Sequence, residues 1–349
     1  MDVIKEELKK LDIQHYEEDF QCSIDYSWNL LIYTPIFLIA LIVYPINPFL
    51  AALFTFLTTL CMVLEFKGVE IISTFLPKKD CLNSLYIYNP KPQQSLPIIL
   101  ITAQKEHLEP FFNFTSVTGF RKKSKIIIFS ILAFNCVIFW GAFKSSAMNT
   151  VEVIYFWIAL PLLVILYLAL LAIYFKYRFS KINKFSSGYE SLTATETFSE
   201  LISSGDIKNI QLWFLAREGD NGYDEGLDLF LQSCPEIEIA INFQSLMGEP
   251  IKVITEEGLL STAKTYKPLI LEAYNIHRII FGTELINGRY NGMTGGYKLY
   301  QYGGIKTITI SGKDVSFFKN KPLDELAIDN YKVFTRQLIK NLDKFYKNL

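Results

Sequence analysis

Residues 209–226, NIQLWFLAREGDNGYDEG, constrain the fold more than any other stretch of the chain. Residues 210–216 form an apolar run rich in aromatic and branched side chains, which reads as a strand buried on both faces. The run stops abruptly at Arg217-Glu218-Gly219, a polar turn follows, and a helix opens near Asp224. In a mostly parallel sheet, ligands bind where the carboxyl ends of strands meet loops. Arg217 and Glu218 therefore stand where a site is expected.

The same alternation recurs along the chain. Strands are expected over 84–88, 96–102, 237–243 and 305–310, and helices over 191–202, 224–232, 259–274 and 329–347. The last helix carries an apolar stripe of Tyr331, Phe334, Leu338, Leu342 and Phe345. Strands spaced by helices imply an α/β domain, a mostly parallel sheet with helices on both faces. Residues 2–20 read as an amphipathic helix with Val3, Ile4, Leu8 and Leu11 on one side, and 287–296 as a loop rich in Gly and Asn.

Half of the 349 residues are apolar, and the mean hydropathy is +0.23. Residues 27–64 hold no charged side chain and are broken by Pro45 and Pro48, so a first hairpin of two transmembrane helices is expected. A second pair is expected at 126–143 and 153–175. Arg121, Lys122, Lys123 and Lys125 precede that pair, and Lys176, Arg178, Lys181 and Lys184 follow it. Positive residues stay inside, so the expectation is a multi-pass membrane protein with a cytoplasmic soluble domain. Its parts are an amino-terminal segment 1–27, hairpin 28–64, first domain part 65–124, hairpin 125–175 and second domain part 176–349. The bilayer is then one partner, and a peptide or protein another. The four spans contain no ionisable residue, which favours anchoring over transport.

The net charge of −1 offers no field for nucleic acid, and no nucleic-acid motif is present. The glycines of 288–296 lack the order of a phosphate loop. Five cysteines, an odd number without CxxC spacing, read as reduced core residues and not a disulfide framework. Histidine is scarce, at positions 15, 107 and 277.

The order of strand-end clusters resembles the M28 family of zinc-dependent aminopeptidases. There a strand ends in Ala-His-x-Asp, a Gly-x-Asp-Asp/Asn stretch opens a helix, and later strands end in Glu-Glu-x-Gly and Asn-Leu-Asp-x-x-Gly. Here ILITAQKEH, SGYESLTATETFSEL, FLAREGDNGYDEG and INFQSLMG take those places. The resemblance implies a zinc-exopeptidase-like domain from about residue 65 onward. It puts Gln104 and Glu106 where the His and Asp stand. It puts Glu190 or a neighbour at the bridging aspartate, Arg217 at the general-base glutamate, Glu218 at a zinc-ligand glutamate and Gln244 at a zinc-ligand aspartate. Thr294-Gly295-Gly296 replaces Ser-Asp-His, and Phe317, Phe318 or Lys319 falls near the last histidine.

Only Glu218 is kept. A two-zinc site needs carboxylates and neutral imidazoles against four positive charges. Amides and phenylalanine do not supply them, and a guanidinium cannot act as a base. The expectation is a vestigial pocket of Gln104, Glu106, Glu190, Arg217, Glu218 and Gln244 in an inactive, membrane-anchored binding or scaffolding protein without a cofactor. Arg217 is expected to pair with Glu218, Glu190 or Glu106. The alternative is a membrane-bound, zinc-dependent aminopeptidase with a rearranged ligand set, in which His107, Glu109 and Glu218 hold one metal.

Overall fold

The structure is a computed structural model. It describes residues 8, 11, 13–23, 28–44, 46–66, 71, 78–105, 188–218, 224–233, 236–244, 246, 250–257, 263–290, 295–312 and 325–347. Nine strands form one mixed sheet: β1 (Gln14–Ser23), β2 (Lys78–Tyr88), β3 (Ile98–Gln104), β4 (Gln211–Arg217), β5 (Ile239–Gln244), β6 (Lys252–Glu257), β7 (Ala263–Lys264), β8 (Ile286–Tyr290) and β9 (Lys306–Ser311). The order is β1-β2-β4-β3-β5-β9-β6-β7, with β8 also paired to β6. The helices are α1 (Trp28–Val43), α2 (Pro48–Phe66), α3 (Gly188–Ser203), α4 (Glu225–Ser233), α5 (Lys267–Phe281), α6 (Gly295–Gly303) and α7 (Glu325–Lys347).

The four central strands, β4, β3, β5 and β9, are mutually parallel. The flanks are not: β1–β2, β2–β4, β6–β9 and β6–β7 are antiparallel. The sheet is thus mixed, where the sequence had suggested a mostly parallel one. The central strands carry near-continuous apolar runs because both of their faces are covered. Alternate residues Ile99, Ile101, Ala103, Phe214, Ile241 and Ile308 pack with Phe198 of α3, Ala273 of α5 and Phe334 of α7. The intervening Leu100, Trp213, Leu215 and Ala240 pack with Leu227 of α4 and Leu299 of α6.

Several elements differ from the reading of the sequence. Residues 14–20 lie in β1, paired antiparallel with β2, and not in a helix. Its residues 14–19 are all exposed, while Leu8 of the expected apolar stripe is buried in the core and Leu11 packs against it. The strands β6 and β8 were missed. Lys252–Glu257 ends in polar residues, and β8 is interrupted by Gly288, whose lack of a side chain admits Ile254 of β6 to within 2.9 Å of where a Cβ would lie.

Among the described residues, no helix is long and apolar enough to cross a membrane. This corrects the expected four transmembrane helices, and with them the anchoring, multi-pass and cytoplasm-facing expectations. Residues 28–64 do form a helical pair, but α1 has 16 residues and Pro35 inside it. At 1.5 Å per residue it covers roughly 24 Å, short of the ~30 Å hydrocarbon core. The last turn of α2 contains Glu65. The expected second pair, at 126–143 and 153–175, lies outside the described residues.

Cys22 of β1 and Cys81 of β2 form a disulfide, which corrects the reading of all five cysteines as reduced. The register sets Phe20 opposite Cys81 and Cys22 opposite Lys79, so the bridge runs diagonally across the pair. The odd count and missing motif concealed it, because strand register, not sequence spacing, brings the two thiols together. The bridged residues are 59 apart. Closing a loop of that length removes unfolded-state entropy worth roughly 2–4 kcal/mol. Reduction, or Cys22→Ser, is expected to lower the free energy of unfolding by that amount, read as a lower urea midpoint, without changing far-UV circular dichroism. A midpoint insensitive to reductant contradicts the bridge.

Candidate functional site

The chain leaves β3 through α3 to β4 on one side, then returns through α4 to β5 on the other side of β3. The strand order therefore reverses between β3 and β5. A crevice outside the carboxyl ends of the strands at such a switch point is where open α/β sheets bind ligands. Gln104 is the last residue of β3 and Gln244 the last of β5. Arg217 ends the neighbouring β4, directly opposite Gln104.

One level inside these ends lies a buried polar layer. Arg217 is wholly buried. Its Nε donates to both carboxylate oxygens of Asp224, at 2.9 and 2.8 Å. Its Nη1 donates to Thr102 Oγ1 at 2.6 Å, and Nη1 and Nη2 both reach Asn242 Oδ1 at 3.2 Å. Asn242 in turn donates from Nδ2 to Thr309 Oγ1 at 3.3 Å. Thr102, Asn242 and Thr309 face one another in register on β3, β5 and β9. The layer runs across four strands and consumes the guanidinium fork within the fold.

Asp224, the carboxylate partner, stands just before α4, and its carbonyl accepts from the N–H groups of Leu227 and Asp228. Its φ is +54°, a left-handed conformation that Asp tolerates better than most residues. The sequence had offered Glu218, Glu190 or Glu106 as the partner of Arg217. The partner is instead Asp224, seven residues on, whose two carboxylate oxygens both accept from Nε. Buried Lys298 of α6 donates to the Asp224 carbonyl at 3.2 Å and forms an ion pair with Asp228. Burial raises the Asp228 carboxyl above its ordinary range, against the opposing pull of Lys298.

Glu218 turns to the other flank. Its Oε2 accepts from the Leu82 N–H at 2.9 Å, and its Oε1 is 3.8 Å from Lys105 Nζ. Lys105 also donates to the Leu82 carbonyl and to Ser84 Oγ, at 2.7 and 2.9 Å. Together they bridge the gap where β2 diverges from β4. Glu190, in the first turn of α3, accepts from the Leu246 N–H at 3.2 Å, just past the end of β5. Glu106, His107 and Glu109 lie outside the described residues, as do Thr294 and the segment 317–319.

The set expected from the sequence is thus split by the fold. Gln104, Gln244 and Arg217 share the strand ends, Glu190 reaches over from α3, and Glu218 is held against β2. Sequence reasoning missed Thr102, Asn242, Thr309 and Asp224. A signal existed: Thr102 and Asn242 are polar residues inside otherwise apolar strand runs, and buried polar side chains need partners.

The α6 amino terminus closes the layer. A Cβ on Gly295 would lie 2.5 Å from Arg217 Nη2 and 2.9 Å from Asn242 Oδ1. One on Gly296 would lie 2.1 Å from Thr309 Oγ1 and 2.5 Å from Glu257 Oε1. The two glycines let the helix start rest directly on the polar layer, with its positive end toward the Glu257 carboxylate.

These residues do not fit a two-zinc centre. Glu218 and Glu190 each accept a backbone N–H already, the strand ends present neutral amides, and Arg217 fills the space beneath them. Among the described residues no three His, Cys, Asp or Glu side chains gather as a metal would require.

No family model matches the chain, and no curated protein does. Solved structures do. The chain is similar to a Zn-dependent exopeptidase from Parabacteroides distasonis, at 9% identity and a TM-score of 0.50, over 97% of this chain and 88% of that one. It is equally similar to Porphyromonas gingivalis glutaminyl cyclase, at 9% identity and a TM-score of 0.50, over 98% and 88%. The fold is zinc-exopeptidase-like. At such identities the likeness concerns the backbone, and the resemblance of strand-end clusters agrees with it at that level.

Proposed function

We propose that this chain is a non-hydrolytic binding protein on a zinc-exopeptidase-like scaffold, engaging its ligand at the carboxyl ends of β3 and β5. The single observation that carries the reading is Arg217. It stands where the resemblance places a general-base glutamate, and its guanidinium is spent on Asp224, Thr102 and Asn242. A group that holds no free pair of electrons and is held by three side chains cannot activate a water. Glu218, the one retained ligand-type residue, is committed to Leu82 and Lys105.

The test is metal content by mass spectrometry on the purified full chain, combined with hydrolysis of aminoacyl-anilide substrates. The expected outcome is substoichiometric metal and no turnover above buffer, with or without added zinc. Stoichiometric zinc with turnover that falls on Glu218→Gln overturns the reading in favour of a metallopeptidase with a rearranged ligand set.

A further inference from the structure

Two side-chain atoms at the switch point are buried and have no hydrogen-bond partner among the described residues. They are Nε2 of Gln104, 2% exposed, and Oε1 of Gln244, 3% exposed. The layer one level down contrasts with them, since Arg217, Thr102, Asn242 and Thr309 bond one another. An unmet donor or acceptor inside a protein is costly, and an apolar side chain of the same size avoids the cost. Buried groups left without partners in a native fold call for a reason.

Their placement suggests one. Thr102 and Asn242 are register partners on neighbouring parallel strands, and Gln104 and Gln244 each lie two residues further on. Alternation puts all four side chains on the same face, above the level where β3 and β5 pair at about 4.8 Å. One orphan atom donates and the other accepts. If both amides turn over, the pair still presents one donor and one acceptor. Among the described residues the nearby charged groups are engaged: Arg217 by Asp224, Lys105 by Glu218, and Glu190 accepts the Leu246 N–H through one oxygen. A ligand group that satisfies both glutamines must offer an acceptor and a donor side by side, and it needs no charge to do so.

We infer that Gln104 and Gln244 recognise an uncharged amide, such as the peptide bond of a blocked peptide, without a metal. The amide carbonyl accepts from Gln104 and its N–H donates to Gln244. This rests on the binding reading above and names the chemistry of that site's ligand. It predicts that a free amino terminus is not what the site reads, because no unspent carboxylate is required for the contact.

The experiment uses the full chain in EDTA with three probes: N-acetyl-alanyl-alaninamide, alanyl-alaninamide with its free amine, and N-acetyl-alanine with its carboxylate. Calorimetric titration and thermal melting are the readouts. The blocked amide is expected to bind and raise Tm, and the two charged probes to bind about tenfold more weakly or worse. Gln104→Met and Gln244→Met are expected to melt no lower than the parent without probe, since each removes an unmet polar atom. Both should nevertheless lose about tenfold or more in affinity for the blocked amide. Variants that melt lower without probe make the glutamines structural and overturn the inference. Preference for the free amine, or failure of all three probes to bind, also overturns it. The first of these leaves the binding role standing. Zinc-dependent binding accompanied by hydrolysis overturns both.

Discussion

Arg217→Met is expected to lower the free energy of unfolding by ~3–5 kcal/mol, the cost of leaving a buried charge without its partner. Domains of this size are stable by about 5–15 kcal/mol, so the loss takes a large share of the total and shows plainly in a urea melt. The size follows from the geometry. The Arg217 and Asp224 side chains are both wholly inaccessible, and without the guanidinium the Asp224 carboxylate loses the bonds that Nε gives to both of its oxygens. Thr102 Oγ1 and Asn242 Oδ1 lose their partner as well. Arg217→Lys should recover little, because an ammonium is a point charge and cannot fork toward Asp224, Thr102 and Asn242 together. Adding Asp224→Asn to Arg217→Met should recover part of the loss by removing the stranded charge. An Arg217→Met protein with an unchanged midpoint contradicts the account of this layer as a structural lock.

That lock also explains what the sequence could and could not reveal. The run 210–216 announces a doubly covered strand because its neighbours β3 and β2 and both helical layers exclude water from it. The strand ends at Arg217 and Gln104 fall within two residues of the expectation for the same reason. The partner of Arg217 was not legible. Asp224 itself has a left-handed φ, and nothing in AREGDNGYD says which acid meets the guanidinium. The disulfide, and the extended course of 14–23, depend on the register of β1 against β2, a tertiary fact that outweighs the local helical pattern read there. The apolar stretch 28–64 misled in another way. Its hydropathy is real, but the first helix is short with a proline inside it, and among the described residues no helix is long and apolar enough to cross a membrane. At the site, the amides Gln104 and Gln244 are visible in the sequence only as substitutions within a resemblance. That they are buried at the sheet's switch point comes from strand order.

Gly295→Ala is expected to destabilise the same layer to a smaller degree, and its cost should depend on Arg217. The added methyl group would meet Arg217 Nη2 at 2.5 Å, Arg217 Cζ at 2.9 Å and Asn242 Oδ1 at 2.9 Å. A long side chain can usually yield a few tenths of an ångström, but this one is held by Asp224, Thr102 and Asn242. The strain therefore passes into the whole layer or lifts the start of α6. Overpacking of this kind costs about 1–3 kcal/mol. In an Arg217→Ala background the nearest atoms are gone, and Asn242 has lost the donor that fixed its amide, so the methyl group enters vacated space. A double-mutant cycle of Gly295→Ala with Arg217→Ala should then show coupling of about 1–3 kcal/mol, the two losses together being smaller than their sum. Strict additivity in matched urea melts would mean that the helix start does not rest on the guanidinium. The close approach of α6 would then serve something other than sealing the polar layer beneath Gln104 and Gln244.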